Sequence, residues 1–127
     1  MKQKNPVPTE QELEILKVVW PRGQATVREV YNDLRQRRSI AYTTVLTMMG
    51  ILERKGHLTK TAGARAYVYQ AAQPQDEVVQ SMVQEFVGRV FNGSAKSLLV
   101  HLVEDRGTAP EDLDELEALV RDRRRRP

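Results

Sequence analysis

Three segments with the sequence Thr-x-x-Glu most strongly constrain how this chain can fold, because each matches a helix capping box. They span residues 9–12, 26–29 and 108–111, and they begin with Thr9, Thr26 and Thr108. In a capping box the threonine hydroxyl accepts a hydrogen bond from the third amide of the helix, and the glutamate reaches back to the threonine amide. The sequence therefore predicts helices that begin after these three residues and a chain that is mainly α-helical.

Apolar residues recur at helical spacing in the first half of the chain and predict three helices. Pro21 and Gly23 end the first helix. The helical pattern of the second weakens after Leu34, and the third helix runs from near Ala41 to Gly56. The apolar faces comprise Leu13, Leu16, Val19 and Trp20 in the first helix, Val27, Val30, Tyr31 and Leu34 in the second, and Val45, Met48, Met49 and Leu52 in the third. We expect these faces to form one core.

The period then changes from helical to alternating, which predicts a β-hairpin. Residues 58–61 and 66–70 read as two short strands around a basic tip at residues 62–65. Three helices followed by a short hairpin describe a winged helix-turn-helix, in which one helix enters the major groove of DNA. We assign residues 1–72 to a winged-helix DNA-binding domain.

The predicted third helix and hairpin carry residue types that bind nucleic acid. Hydroxyls near the start of a groove-binding helix bond base edges, and cations contact backbone phosphates. The predicted DNA-binding residues are Tyr42, Thr43, Thr44 and Thr47 for bases, and Arg54, Lys55, Lys60 and Arg65 for phosphates, with Arg37 and Arg38 also placed for phosphates. His57, just after the third helix, either touches a phosphate or stays in solvent.

The second half of the chain predicts a helical dimerisation domain over residues 73–122 and a basic tail without structure at residues 123–127. A wide apolar stripe over residues 78–91 is interrupted at residues 92–94, where Ser94 is suited to cap a helix over residues 95–104. So small a helical unit rarely sustains its own core, so a second copy is expected to complete it. The predicted dimerisation residues are Val79, Met82, Val83, Phe86, Val87, Val90, Phe91, Leu98, Leu99, Leu102, Leu116 and Leu119. The alternative is that the stripe packs on the first half of the same chain.

Composition excludes several other classes of protein. The chain has no Cys, two His, no Gly-rich phosphate loop and no grouped nucleophile and base, so it predicts no enzyme, no metal site and no cofactor. The sequence shows no apolar run of the length of a membrane span and no signal peptide, so a cytoplasmic protein is expected.

The net charge of +3 conceals a strong asymmetry along the chain. Residues 1–72 carry 12 Lys and Arg against 6 Asp and Glu, a net +6, whereas residues 73–120 carry 3 against 10, a net −7. Residues 121–127 carry 5 against 1, a net +4. A basic first half joined to an acidic second half suits a protein whose one end meets a polyanion and whose other end meets protein.

Several of these segments, in this order and spacing, resemble the BlaI/MecI penicillinase-repressor family over residues 8–122. The matching segments are 13–20, 26–30, 41–49, 55–56, 67–69 and 93–99. The resemblance implies a homodimeric repressor of dyad-symmetric operators ahead of β-lactamase or other antibiotic-resistance genes. It maps the groove-reading positions onto Tyr42, Thr43, Thr44 and Thr47, and the wing arginine onto Arg65. The family usually has a basic residue near the position of Ile51, and this chain does not, so the resemblance implies the class of ligand but not the operator sequence.

The resemblance also implies a regulatory protease as a further partner, because family members are cleaved in the C-terminal domain at a place that corresponds to His101-Leu102. Copper-responsive relatives sense the metal through a Cys-rich C-terminus, and that route is closed in a chain without Cys. The alternative function, from another class, is a winged-helix module that docks a protein partner without sequence-specific DNA binding.

Overall fold

The computed structural model describes residues 6–126, which form two compact units that divide between Val83 and Gln84. The first five residues of the predicted DNA-binding domain, and Pro127 of the predicted tail, lie outside the described residues. Within residues 6–126 no helix combines the length and the apolar character that crossing a membrane requires.

The N-terminal unit contains three helices, a three-stranded sheet and the first turns of a fourth helix. In chain order these elements are α1 (Glu10–Arg22), β1 (Gln24–Ala25), α2 (Val27–Leu34), α3 (Tyr42–Arg54), β2 (Leu58–Ala62), β3 (Tyr67–Ala71) and α4 (Gln75–Val90). The winged helix-turn-helix predicted from the sequence is confirmed.

Both predicted capping boxes at the starts of α1 and α2 are present. The hydroxyl of Thr9 accepts from the Glu12 amide at 3.2 Å, and Glu12 accepts from the Thr9 amide at 3.0 Å. Thr26 and Glu29 repeat the pattern at 3.1 and 2.9 Å. At the other end of α1, Gly23 has a φ of 79°, a conformation that glycine adopts at low cost.

The sheet has the strand order β1-β3-β2 and is antiparallel throughout. β2 and β3 form the predicted hairpin, which we call the wing, with Leu58 opposite Ala71 and Ala62 opposite Tyr67. β1 was not predicted, because a strand of two residues shows no alternation in sequence. It pairs Gln24 with Gln70 and so joins the end of α1 to the wing.

The core of the N-terminal unit lies between α1, α2, α3 and the sheet. Its fully buried side chains include Ile15, Leu16, Val19, Val30, Leu34, Val45, Met49, Leu52 and Leu58. Trp20 and Tyr31 are partly buried against this core. The apolar face of α1 is rotated from the predicted one, because Ile15 and Val18 are buried while Leu13 and Trp20 are half-buried.

The N-terminal unit extends beyond the predicted boundary between residues 72 and 73. In α4, Val78 is 3% exposed within the N-terminal core, and Met82 packs against that core. The boundary of the compact units therefore falls inside α4, because its first turns supply apolar side chains that the N-terminal core buries. The predicted division into a DNA-binding and a dimerisation domain stays a prediction.

The C-terminal unit contains the end of α4, α5 (Ala95–Glu104) and α6 (Pro110–Arg125). The predicted cap at Ser94 is confirmed, since its hydroxyl accepts from the Ser97 amide at 3.1 Å. The capping box predicted at Thr108 is wrong. Ala109 occupies the cap position, Pro110 opens the helix, and the Thr108 hydroxyl donates to the Leu102 carbonyl at 2.9 Å.

The basic tail predicted to be without structure continues α6 through Arg125 instead. Arginine is a good helix former, and cations near a helix C-terminus interact favourably with the helix dipole. Arg121 pairs with Glu117 at 2.6 Å and Arg126 with Asp122 at 3.5 Å, both four residues apart. These local pairs carry the helix past residue 122.

Candidate nucleic-acid interface

The two faces of α3 differ sharply in exposure. Its apolar side chains Val45, Met48, Met49 and Leu52 are buried in the core. The opposite side exposes Thr43, Thr44, Leu46, Thr47 and Arg54. α3 has 13 residues, and its exposed side carries small hydroxyl side chains near the N-terminal end. Such a helix suits the major groove of DNA, which admits an α-helix.

The predicted base-reading residues divide into two groups. Thr43, Thr44 and Thr47 are exposed and share the outer side of α3. Tyr42 is half-buried, and its ring meets that of Tyr31 edge to face at a centroid distance of 5.5 Å. The structure therefore leaves the threonine side chains open, whereas it anchors the tyrosine ring between α2 and α3.

The wing presents Arg65 at its tip, where the side chain is exposed. The Gly63 amide donates to the Ala66 carbonyl at 2.9 Å and closes the turn around it. A Cβ at Gly63 would lie 2.5 Å from that carbonyl oxygen, so the turn admits only glycine without moving. Lys60 on β2 lies 3.6 Å from a Glu53 carboxylate oxygen and 4.5 Å from the centre of the Tyr67 ring.

Four of the predicted phosphate contacts form ion pairs, namely Lys60 with Glu53 as given above and three others. Lys55 Nζ lies 2.7 Å from Glu12 Oε1, and Lys55 is therefore held against α1. Arg37 pairs with Asp33 at 3.2 Å, and Arg38 pairs with Glu14 at 3.5 Å. Arg54 and Arg65 form no ion pair within residues 6–126. Among the predicted phosphate contacts, the cations without an ion pair in the described part of the chain are therefore those of Arg54 and Arg65.

The surroundings of Glu12 shift the pKa of its carboxyl group. Burial raises its pKa, but the hydrogen bonds from Lys55 and the Thr9 amide, with the charges of Lys55 and His57, outweigh burial and lower the pKa below 4.5. The ionised carboxylate is thereby held as the partner of Lys55.

The sequence interpretation of His57 is wrong in both its forms. The side chain is 3% exposed, and its Nε2 lies 2.6 Å from the Pro6 carbonyl oxygen. A carbonyl only accepts, so Nε2 donates and Nδ1 faces the protein interior without a partner within the described residues. His57 therefore holds the segment before α1 and contacts neither phosphate nor solvent.

Sequence reasoning missed two residues of this surface. Leu46 is 46% exposed among the threonines of α3, where an apolar side chain can meet a thymine methyl. The sequence did indicate the exposure of Leu46, because this residue does not fall at the helical spacing of the buried side chains of α3. Arg28, inside the capping box of α2, lies with its guanidinium 4.5 Å from the centre of the Tyr42 ring, and no sequence pattern indicated that contact.

The predicted dimerisation residues are mostly open to solvent. Met82 packs on the N-terminal core, Val87 is 8% exposed, and Phe91 and Leu98 are half-buried. The remaining eight are between 39% and 61% exposed, namely Val79, Val83, Phe86, Val90, Leu99, Leu102, Leu116 and Leu119. Among residues 84–126, Val87 is the single buried apolar side chain. We call the six of these that lie within residues 84–126 the C-terminal apolar surface, namely Phe86, Val90, Leu99, Leu102, Leu116 and Leu119.

Residues 8–122 match the sequence model of a family described as "Penicillinase repressor". The chain is 25% identical over 124 residues to the penicillinase repressor of Bacillus licheniformis, a match that covers 98% of this chain and 97% of that protein. It is 34% identical over 105 residues to the transcriptional regulator BlaI of Mycobacterium tuberculosis (strain CDC 1551 / Oshkosh), covering 81% and 72%.

One similar solved structure contains DNA. It is the solution structure of the Bacillus licheniformis BlaI monomeric form in complex with the blaP half-operator, with a TM-score of 0.52 and 28% identity. The match covers 60% of this chain and 93% of that chain. The share of this chain it covers is close to that of the N-terminal unit.

Proposed function

The chain belongs to the penicillinase repressor family, and we propose that it is a sequence-specific DNA-binding transcriptional repressor. The observation that carries this proposal is the exposed threonine face of α3, set beside a wing with an exposed arginine at its tip. The similar BlaI structure in complex with a half-operator supports it.

In the proposed complex, α3 lies in the major groove and reads bases. Thr43, Thr44 and Thr47 offer hydroxyls that donate to or accept from base edges, and methyl groups that meet thymine methyls. Leu46 adds an apolar contact on the same side. Sequence preference therefore comes from α3.

Cations around α3 fix the position of the protein on the DNA backbone. Arg54 lies at the end of α3, and Arg65 and Lys60 lie on the wing. Phosphate contacts of this kind position a protein without selecting sequence and make binding depend on salt. Lys55 is left out of the proposed interface, because the buried Glu12 holds it at 2.7 Å, whereas Lys60 lies 3.6 Å from the half-buried Glu53.

We further propose that the C-terminal apolar surface pairs with the same surface of a second copy. The C-terminal unit buries one apolar side chain among residues 84–126, so those residues do not form a core of their own. Burying a large apolar side chain contributes about 1.5–3 kcal/mol, so pairing these six residues strongly favours association. A two-fold dimer matches an operator with dyad symmetry.

The proposal includes the cytoplasm as the place of action. It also includes release of repression by a regulatory protease that cleaves at His101-Leu102. Both residues lie in α5, which has no buried residue among its ten. A helix with little packing opens locally at low cost, which gives a protease access to its backbone. Cleavage there would separate α6 from the rest of the C-terminal apolar surface and weaken the dimer.

The proposal is tested by selecting binding sites from a random duplex DNA library with the full chain, and then titrating the selected DNA and a scrambled DNA. Thr44→Ala and Thr47→Ala are expected to weaken binding to selected DNA more than to scrambled DNA. Arg65→Ala is expected to weaken both and to reduce the slope of log affinity against log salt by about 1. Lys17→Ala, which removes an exposed cation from α1, is the matched control.

Failure to enrich any DNA sequence, together with stoichiometric capture of a protein partner, would favour the protein-docking alternative. Equal losses on both DNAs for the threonine variants would contradict base reading by α3. Sedimentation as a monomer at micromolar concentration would contradict the dimer alone.

A further inference from the structure

Two arginines and two tyrosines form a cluster at the junction of α2 and α3. The Arg28 guanidinium lies over the Tyr42 ring at 4.5 Å and 5.6 Å from the Tyr31 ring centre. The Arg35 guanidinium lies 5.5 Å from the Tyr31 ring centre. Cations this close to aromatic faces are attracted by them and held in place.

The two arginines of this cluster lack carboxylate partners, although α2 carries acids. Glu29 and Asp33 share one side of the helix, and both pair with Arg22 from the end of α1. Arg28 and Arg35 lie with Tyr31 on another side, at helical spacings of three and four residues. Within residues 6–126 neither arginine forms an ion pair, and both are exposed. Their positive charges are therefore open to an anion.

A guanidinium held over a tyrosine ring can still bind an anion. Arginine carries five N–H donors, and neither arginine here gives them to a carboxylate among residues 6–126, so donors remain for a phosphate. Phosphate oxygens accept such donors in pairs. Tyr42 is the first residue of α3, so a phosphate bound at Arg28 would lie next to the exposed Thr43 and Thr44.

We propose that Arg28 over the Tyr42 ring, together with Arg35 near the Tyr31 ring, forms a clamp for DNA backbone phosphates that positions the N-terminal end of α3 in the groove. This inference rests on the proposed function and adds to it the residues that orient the reading helix. Arg28 is a positioning residue in this scheme, and sequence selection remains with the threonines.

The experiment uses the full chain, its selected DNA and a scrambled DNA at several salt concentrations. Arg28→Ala is expected to weaken binding to both DNAs about tenfold and to reduce the salt slope by about 1. Arg28→Lys keeps the charge but loses the planar donors, so the salt slope is expected to stay while affinity falls. Arg22→Ala, an arginine held by two carboxylates, is the matched control and is expected to leave both quantities unchanged.

A double-mutant cycle tests whether the contact between Arg28 and Tyr42 contributes to DNA binding. Tyr42→Leu and Arg28→Ala are expected to be non-additive in DNA binding, because each removes the same preorganised contact. If Arg28→Ala does not fold, the same titrations of Arg28→Lys and Arg35→Ala decide whether the two arginines bind DNA phosphates.

The outcomes separate the two proposals. If the unsubstituted chain binds no DNA, the clamp and the proposed function both fall. If the unsubstituted chain binds selected DNA while Arg28→Ala and Arg22→Ala behave alike, only the clamp is overturned.

Discussion

Lys55 Nζ donates to Glu12 Oε1 at 2.7 Å and thereby ties the end of α3 to the start of α1. The same carboxylate oxygen accepts the Thr9 amide and so completes the capping box of α1. One acid therefore serves two structural purposes, since it starts a helix and fixes the position of the helix proposed to read DNA.

Removing the cation should destabilise the N-terminal unit. Lys55→Met leaves the Glu12 carboxylate buried with its charge unmatched, and we expect the free energy of unfolding to fall by about 2–3 kcal/mol. Urea unfolding measures this, with Lys17→Met as a control at an exposed lysine of α1. Equal stability of the two variants would show that the pair contributes nothing.

The same pair predicts how stability depends on pH. The pKa of Glu12 is lowered in the folded protein from its ordinary value of 4.5, chiefly through Lys55 and the Thr9 amide acting against burial. A lowered folded pKa gives stability that is full above the unfolded value and is lost as pH falls through the folded value. We therefore expect the difference in unfolding free energy between wild type and Glu12→Gln to be constant near neutral pH and to shrink below pH 4.5. A difference that grows on acidification would contradict this sign.

The wing turn should be intolerant of a side chain at Gly63. In Gly63→Ala the new Cβ would meet the Ala66 carbonyl oxygen, so the turn must open and Arg65 must move. We expect a loss of about 1–3 kcal/mol in stability and weaker DNA binding. Gly88→Ala, in an exposed part of α4 with no heavy atom within 4 Å of its Cβ, should be neutral or stabilising.

His57 should control how firmly the segment before α1 is held. His57→Ala removes the donor to the Pro6 carbonyl, and amide exchange at Val7 is expected to accelerate. His57→Gln retains an N–H donor and should slow that exchange again. Unchanged exchange in His57→Ala would mean that this hydrogen bond does not hold the segment.

Local signals in the sequence determined most of the secondary structure. Caps at Thr9, Thr26 and Ser94 were predictable, because a cap joins residues only three positions apart. The Thr108 box failed for a local reason as well, since Pro110 is suited to the first helical position and leaves Ala109 as the cap. The threonine face of α3 was also readable, because helical spacing separates its exposed from its buried side.

Tertiary structure decided which charged and polar side chains serve the interface. Lys55 and Glu12 are 43 residues apart in sequence and His57 and Pro6 are 51 apart, so no local pattern pairs them. Spacing alone made Lys55 and Arg65 equal candidates for phosphate, although one is held in an internal ion pair and the other is exposed at the wing tip. Local sequence signals were enough to predict the starts of α1, α2 and α5 and the buried sides of α2 and α3, since those depend on neighbours within a turn. Only the packed fold decided which cations are neutralised and which remain open, because that depends on the carboxylates and aromatic rings that other elements bring beside them.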